Sequence, residues 1–166
     1  DTFSYAEKTQ AVESSYKDAM VIGENNQYVP GNAGGICQVS TTLYNAVMRA
    51  NIRSVERHNH SIASGYVPVG LDATVSWGYL DYRFENTYNF PIYLYAAIVG
   101  NTVQVAVYGD PSAMEGKTYS MISEVEVKKA ENKQIAKSYL ITYKNGQEIN
   151  REYIDTSTYI LDNTPT

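Results

Sequence analysis

The clearest helical periodicity in the chain begins at its single cysteine. In "CQVSTTLYNAVMRA", starting at Cys37, the apolar residues Val39, Leu43, Ala46, Val47 and Ala50 fall on one face, which predicts a helix that stops near Asn51. Ahead of it, "GNAGG" is too rich in glycine to be anything but a loop. "FSYAEKTQ" places Ser4 three residues before Glu7, the pattern of a capping box on a short helix. "DAMVIGENNQYVP" reads as two short strands around a polar turn, "GENN". After Asn51 the pattern changes to short β-branched and aromatic runs broken by Gly, Pro and Asn: "IRSVERHNHS", "SGYVPVG", "DATVSW", "YLDYRFEN", "FPIYLYAAIV" and "NTVQVAVYG". The last two flank "VGNT" and predict a hairpin. Strands following an early helix point to an α+β fold, with the cysteine-bearing helix packed on a largely antiparallel sheet.

"GDPSAMEGK" is linker-like, and the segment after it alternates again, in "YLITYK" with a turn at "KNGQ". The expected division is a main domain over residues 1–109, a linker over 110–117 and a small β extension over 118–166.

Composition narrows the class. With 166 residues there is enough chain for one well-cored domain, and 43% apolar residues indicate a soluble globular protein. Thirteen basic and eighteen acidic residues give a net charge of −5 without a basic cluster, which argues against nucleic acid as a partner. No run approaches the roughly 20 apolar residues of a membrane helix, so an export signal or membrane anchor is expected to lie outside these residues. One cysteine leaves no internal disulfide framework. The sixteen tyrosines suit carbohydrate or peptide grooves, but for any one of them half-buried strand packing is the plainer reading.

Candidate chemistry centres on Cys37. A thiol reacts as thiolate, and a helix start and a nearby imidazole both favour that form. The amides of Gly34 and Gly35, with those of the first helical turn, can hold an oxyanion. Both histidines lie in "ERHNHS"; in an extended segment His58 and His60 share a face. The rival readings are an inert cysteine beside structural histidines, or a zinc site of Cys37, the two histidines and Asp72 or Asp81. Arg57 is a candidate for meeting a substrate carboxylate, against a plainer place on a solvated strand edge.

Over residues 2 to 109 the chain closely resembles the VanW-like family. The resemblance rests on "FSY", "GGICQVSTTLYNA", "ERHNHS", "YVPVGLDATV" and "YLDYRFEN…FPIYLYA". Ala33 stands where family members usually carry a third glycine. The tail "YLITYKNGQEINREYIDTSTY" resembles part of a G5-type β segment. The resemblance implies a cell-surface protein of Gram-positive bacteria, and some clostridial members act as L,D-transpeptidases on peptidoglycan. It implies Cys37 as nucleophile and the "HNH" histidines as base and support, with His60 favoured as base; Asp72 is the candidate for orienting a histidine. The implied partners are donor and acceptor stem peptides, and no metal or organic cofactor is required. A non-catalytic wall-binding domain and a cysteine peptidase or carboxypeptidase remain the alternatives.

Overall fold

Ser4 ends the first strand and starts the first helix. In the computed structural model, which describes residues 1–22, 28–31 and 34–161, strand β1 (Thr2–Ser4) runs into α1 (Tyr5–Gln10). The Ser4 hydroxyl accepts from the Glu7 amide at 3.1 Å and donates to Asp81 Oδ2 at 2.6 Å, while Asp81 Oδ1 accepts from the Ala6 amide at 2.7 Å. The cap expected from the sequence is therefore doubled by a carboxylate from 77 residues away.

β2 (Ala19–Ile22) and β3 (Tyr28–Gly31) pair antiparallel, as the hairpin reading expects; its "GENN" turn lies outside the described residues. Helix α2 (Ile36–Arg49) follows Gly35, whose φ of 97° puts it in the left-handed region open to glycine at little cost. Asn51, at φ 59°, ends the helix: its amide bonds to Met48 O and the Ile52 amide to Val47 O, the paired bonds of a Schellman motif. Ile52 then buries its side chain completely beside the last turn.

The strands form several small antiparallel sheets. β1, β5 (Arg83–Glu85) and β4 (Ser54–Glu56) make one, in the order β1-β5-β4. β6 (Tyr93–Val99) and β7 (Thr102–Tyr108) form the expected hairpin. β8 (Lys117–Lys128), β9 (Lys133–Lys144) and β10 (Gln147–Ile160) form the third sheet, with Asn145 and Gly146 both at positive φ in the "KNGQ" turn. Antiparallel strands beside two helices make the fold α+β, with four small sheets among the described residues in place of one large one. Between β7 and β8, the segment read as a linker holds a 3₁₀ turn, Pro111–Met114.

One apolar cluster joins these parts. Leu43, Val47 and Met48 of α2 pack with Tyr82 and Phe84 around β5, and also with Met121 of β8 and Leu140 of β9. Each such side chain contributes about 1.5–3 kcal/mol on burial. The sheet beyond Gly109 thus shares its core with the helix that carries Cys37.

Two expected strands are absent. "SGYVPVG" and "DATVSW" have no ladder, although residues 71–75 are buried without a break. From Gly70 to Val75, backbone groups bond to side chains instead, which builds the site.

Candidate active site around Cys37

Cys37, Thr41 and Asn45 lie four residues apart on one face of α2, and all three bind the buried segment 71–75. Cys37 Sγ lies 3.5 Å from the Val75 amide and 3.5 Å from Thr74 Oγ1. Thr41 Oγ1 accepts from the Ala73 amide at 3.0 Å and donates to Ala73 O at 3.4 Å. Asn45 Nδ2 donates to Leu71 O at 2.8 Å. The match has a geometric cause: four helical residues rise about 6 Å and two extended residues span about 6.6 Å. A helix face and an antiparallel extended segment therefore stay in step over this length. Polar side chains of α2 take the place of a partner strand, which is why an alternating, β-branched run forms no sheet.

The same segment carries Asp72, 1% exposed. Asp72 Oδ2 accepts from His60 Nδ1 at 2.6 Å and from the His60 amide at 2.8 Å. This fixes the imidazole by ring and by backbone, and leaves Nε2 for the thiol side. Tyr66 stands at that side, its Oη 3.5 Å from Nε2 and its ring edge-on to the imidazole at 6.3 Å.

The electrostatics follow from the contacts. Burial alone would raise the Cys37 pKa, but a hydrogen bond from His60, the Val75 and Thr74 contacts and the His60 charge outweigh it and hold the thiol below its ordinary 9.0. Burial opposes charge on His60 too. Hydrogen bonds to Asp72 and Cys37, and the charges of both, prevail and raise its pKa from 6.5 to about 9. Asp72 is held below the ordinary 3.8 despite its burial, by two hydrogen bonds from His60, one from Tyr159 and the Arg57 charge. Each direction favours the charged form of its group: thiolate at Cys37, imidazolium at His60 and carboxylate at Asp72.

His58 and His60 do not share a face. β4 ends at Glu56, and without a strand beyond it the two-residue alternation lapses. His58 is 40% exposed and sits 3.0 Å from Glu56 Oε1, apart from the Cys37–His60–Asp72 row. Among the described residues, no group of three or more His, Cys, Asp or Glu side chains is placed to hold a metal ion.

Arg57 is neither solvated nor open to a substrate. Its five N–H donors go to Asp72 O (2.6 Å), Asp72 Oδ1 (3.1 Å), Gly70 O (3.2 Å), Asp155 Oδ2 (3.2 Å) and Ser157 Oγ (2.6 Å). It positions the back of Asp72, over the ring of Tyr44 at 5.6 Å. Gly35 precedes the thiol as the residue before α2, and Gly34 stands in the adjoining turn. The first intrahelical bond runs from the Val39 amide to Gly35 O, so the Ile36, Cys37 and Gln38 amides precede the ladder.

Residues 1–108 match the protein family described as "VanW like protein". The chain belongs to the VanW-like family. It is also 44% identical over 112 residues, 65% of its length, to the uncharacterized protein YoaR of Bacillus subtilis (strain 168). The aligned part covers 36% of that relative, so the chain spans about a third of the protein it matches. No solved structure matches.

The VanW-like match contains Cys37, His60, Asp72 and Arg57, but the residues behind them lie beyond it. Tyr159 of β10 donates to Asp72 Oδ1 and accepts from the Gly70 amide at 2.9 Å; Asp155 and Ser157 hold Arg57. The pattern of polar residues Thr41 and Asn45 in step with Cys37 was a sequence signal for the docking of segment 71–75. Nothing local to Tyr66 or Tyr159 marks them out among sixteen tyrosines.

Proposed function

We propose that this VanW-like protein is a cysteine acyltransferase of the L,D-transpeptidase kind, acting on peptidoglycan stem peptides at the outer face of a Gram-positive cell. The observation that carries the reading is the Cys37–His60–Asp72 row at the start of α2, with the thiol favoured as thiolate and the imidazole as imidazolium. Such a row activates a nucleophile, holds its base and orients that base.

In the proposed reaction, Cys37 thiolate attacks the carbonyl of the third stem residue. The oxyanion that forms is held by the free amides at the start of α2, with Gly34 and Gly35 leaving room for the approach. The C–N bond to the terminal D-alanine breaks as imidazolium at His60 protonates the departing amine, leaving a thioester. Neutral His60 then takes a proton from the side-chain amine of an acceptor stem. That amine attacks the thioester, an amide forms, and Cys37 leaves as thiolate. Asp72 stays ionised throughout and keeps Nε2 facing the reacting atoms.

The test is incubation with disaccharide-tetrapeptide, with product analysis and intact-protein mass. D-alanine release with a 3→3 cross-linked dimer, absent in Cys37→Ala, is the expected result. Release without dimer would make the protein a carboxypeptidase; a folded protein giving neither turnover nor adduct would leave only a wall-binding role.

A further inference from the structure

The proposed transfer asks two things of one atom. The amine that leaves takes its proton from His60 Nε2, and the amine that enters gives one back to it. Each amine in turn therefore lies within about 3.2 Å of Nε2. Nδ1 cannot serve, because Asp72 Oδ2 holds it at 2.6 Å. Tyr66 marks the side of Nε2, its Oη standing 3.5 Å away. Tyr66 also lines the near end of a groove of about 740 Å³, together with Gln38, the residue next to Cys37, and Thr41, one turn further on.

From there the groove follows α2 past Thr42 and Asn45. Val67, Leu71 and Met121 give it an apolar wall, which suits the methylenes of an aliphatic side chain. Among the described residues its lining carries one cation, Arg49, and one anion, Asp110, so an amine that arrives as ammonium meets no net positive charge. The groove also offers hydrogen bonds to a main chain. β7 pairs with β6 alone among the described residues, and residues 105–107 of β7 line the groove, so an unpaired strand edge is present there. Asn45 gives both amide hydrogens to Thr41 O and Leu71 O, each at 2.8 Å, and its carbonyl oxygen has no partner among the described residues.

We propose that this groove is the acceptor site, holding the stem peptide whose side-chain amine attacks the thioester at Cys37. This rests on the reading that Cys37 forms such a thioester. As the N–C bond forms, the proton of the amine passes to neutral His60 Nε2, the C–S bond breaks, and Cys37 leaves as thiolate. Tyr66 Oη is placed to accept the second N–H of the same amine, which holds it during the attack. The lengths agree. A diamino side chain of three or four methylenes spans roughly 5–6 Å at bond lengths near 1.5 Å. Thr42, five residues after Cys37, lies on the order of 7.5 Å along the helix. The main chain of the acceptor thus begins close to the level of Thr42, short of Asn45 at about 12 Å.

The test uses disaccharide-tetrapeptide and measures the dimer formed per D-alanine released, a ratio set by how the thioester partitions between amine and water. Thr42→Trp fills the groove beyond the position of the amine and should lower that ratio about tenfold or more, with hydrolysed tripeptide in place of dimer. Thr42→Ser, which leaves the groove open, should restore it. Thermal melting checks that each variant is folded; if Thr42→Trp does not fold, Ala46→Leu narrows the same groove and carries the same expectation. An unchanged ratio in a folded, groove-filled variant would overturn the inference. Loss of D-alanine release in that variant would overturn it too, by placing the donor stem in the groove, as would wild-type release without any dimer. The two readings fail separately: dimer formation indifferent to the groove leaves a cross-linking Cys37 intact, whereas wild-type protein that releases no D-alanine and gains no thioester removes both.

Discussion

Asp72→Asn is the substitution whose consequences the site defines most fully. The new side chain has nearly the same volume and still accepts at one atom, so packing is preserved while the charge is lost. That charge faces three groups: the His60 ring, the Arg57 guanidinium and the Tyr159 hydroxyl. Arg57 is 5% exposed and keeps Asp155, but the near-fully buried half of its charge pairing disappears. Removing one partner of a buried pair costs about 3–5 kcal/mol; the neutral acceptors left around Arg57 favour the lower end, about 3. The same loss should move the His60 pKa down from about 9 towards 6.5, and with it the thiolate population at Cys37. The pH dependence has a definite sign. His60, raised in the fold, stabilises it fully below pH 6.5 and loses that contribution as pH rises through about 9. Asp72, lowered in the fold, contributes above 3.8 and loses it as pH falls through its folded value. Urea unfolding of wild type should therefore show a plateau from above pH 4 to about 6.5, and Asp72→Asn should lower the plateau by about 3 kcal/mol and flatten both shoulders. Iodoacetamide alkylation of Cys37 at pH 6 should slow in parallel. A loss below about 1 kcal/mol with an unchanged alkylation rate would mean that Asp72 is not the charge holding this row together.

Three further outcomes are expected. Alkylation of wild-type Cys37 should have its midpoint below the ordinary 9.0 and should shift upward in His60→Ala, which stopped-flow labelling across pH would measure. His58→Ala, which removes only an exposed ring beside Glu56, should keep cross-linking within a few-fold of wild type, whereas His60→Ala should lower it by about 10²–10⁴, the usual contribution of a general acid–base. Tyr159→Phe, by taking the hydroxyl from both Asp72 and the Gly70 amide, should cost about 1–3 kcal/mol in urea unfolding and slow Cys37 alkylation, although residue 159 lies beyond the VanW-like match.

Local order was legible in the chain. The spacing of Val39, Leu43 and Val47 carries the core face of α2, Ser4 carries the cap of α1, and "VGNT" and "KNGQ" mark hairpins whose turns need small or left-handed residues. These are near-neighbour effects, set by helical and strand periods and by side chains that bond their own backbone. The chemistry at Cys37 was legible for the same reason, since a thiol at a helix start is a local fact. The fate of the two histidines was not. Both sit two residues apart in one segment, and only the end of β4 at Glu56, with Asp72 arriving from twelve residues on, separates the one that faces the thiol from the one that faces Glu56. Arg57 looks like a surface residue until Gly70, Asp72, Asp155 and Ser157 close around it. Burial of a charge depends on partners up to 100 residues away, and no period along the chain encodes that distance. Segment 71–75 makes the same point: its pattern is that of a strand, and it lies extended and buried, but the tertiary fold gave it a helix face as its partner.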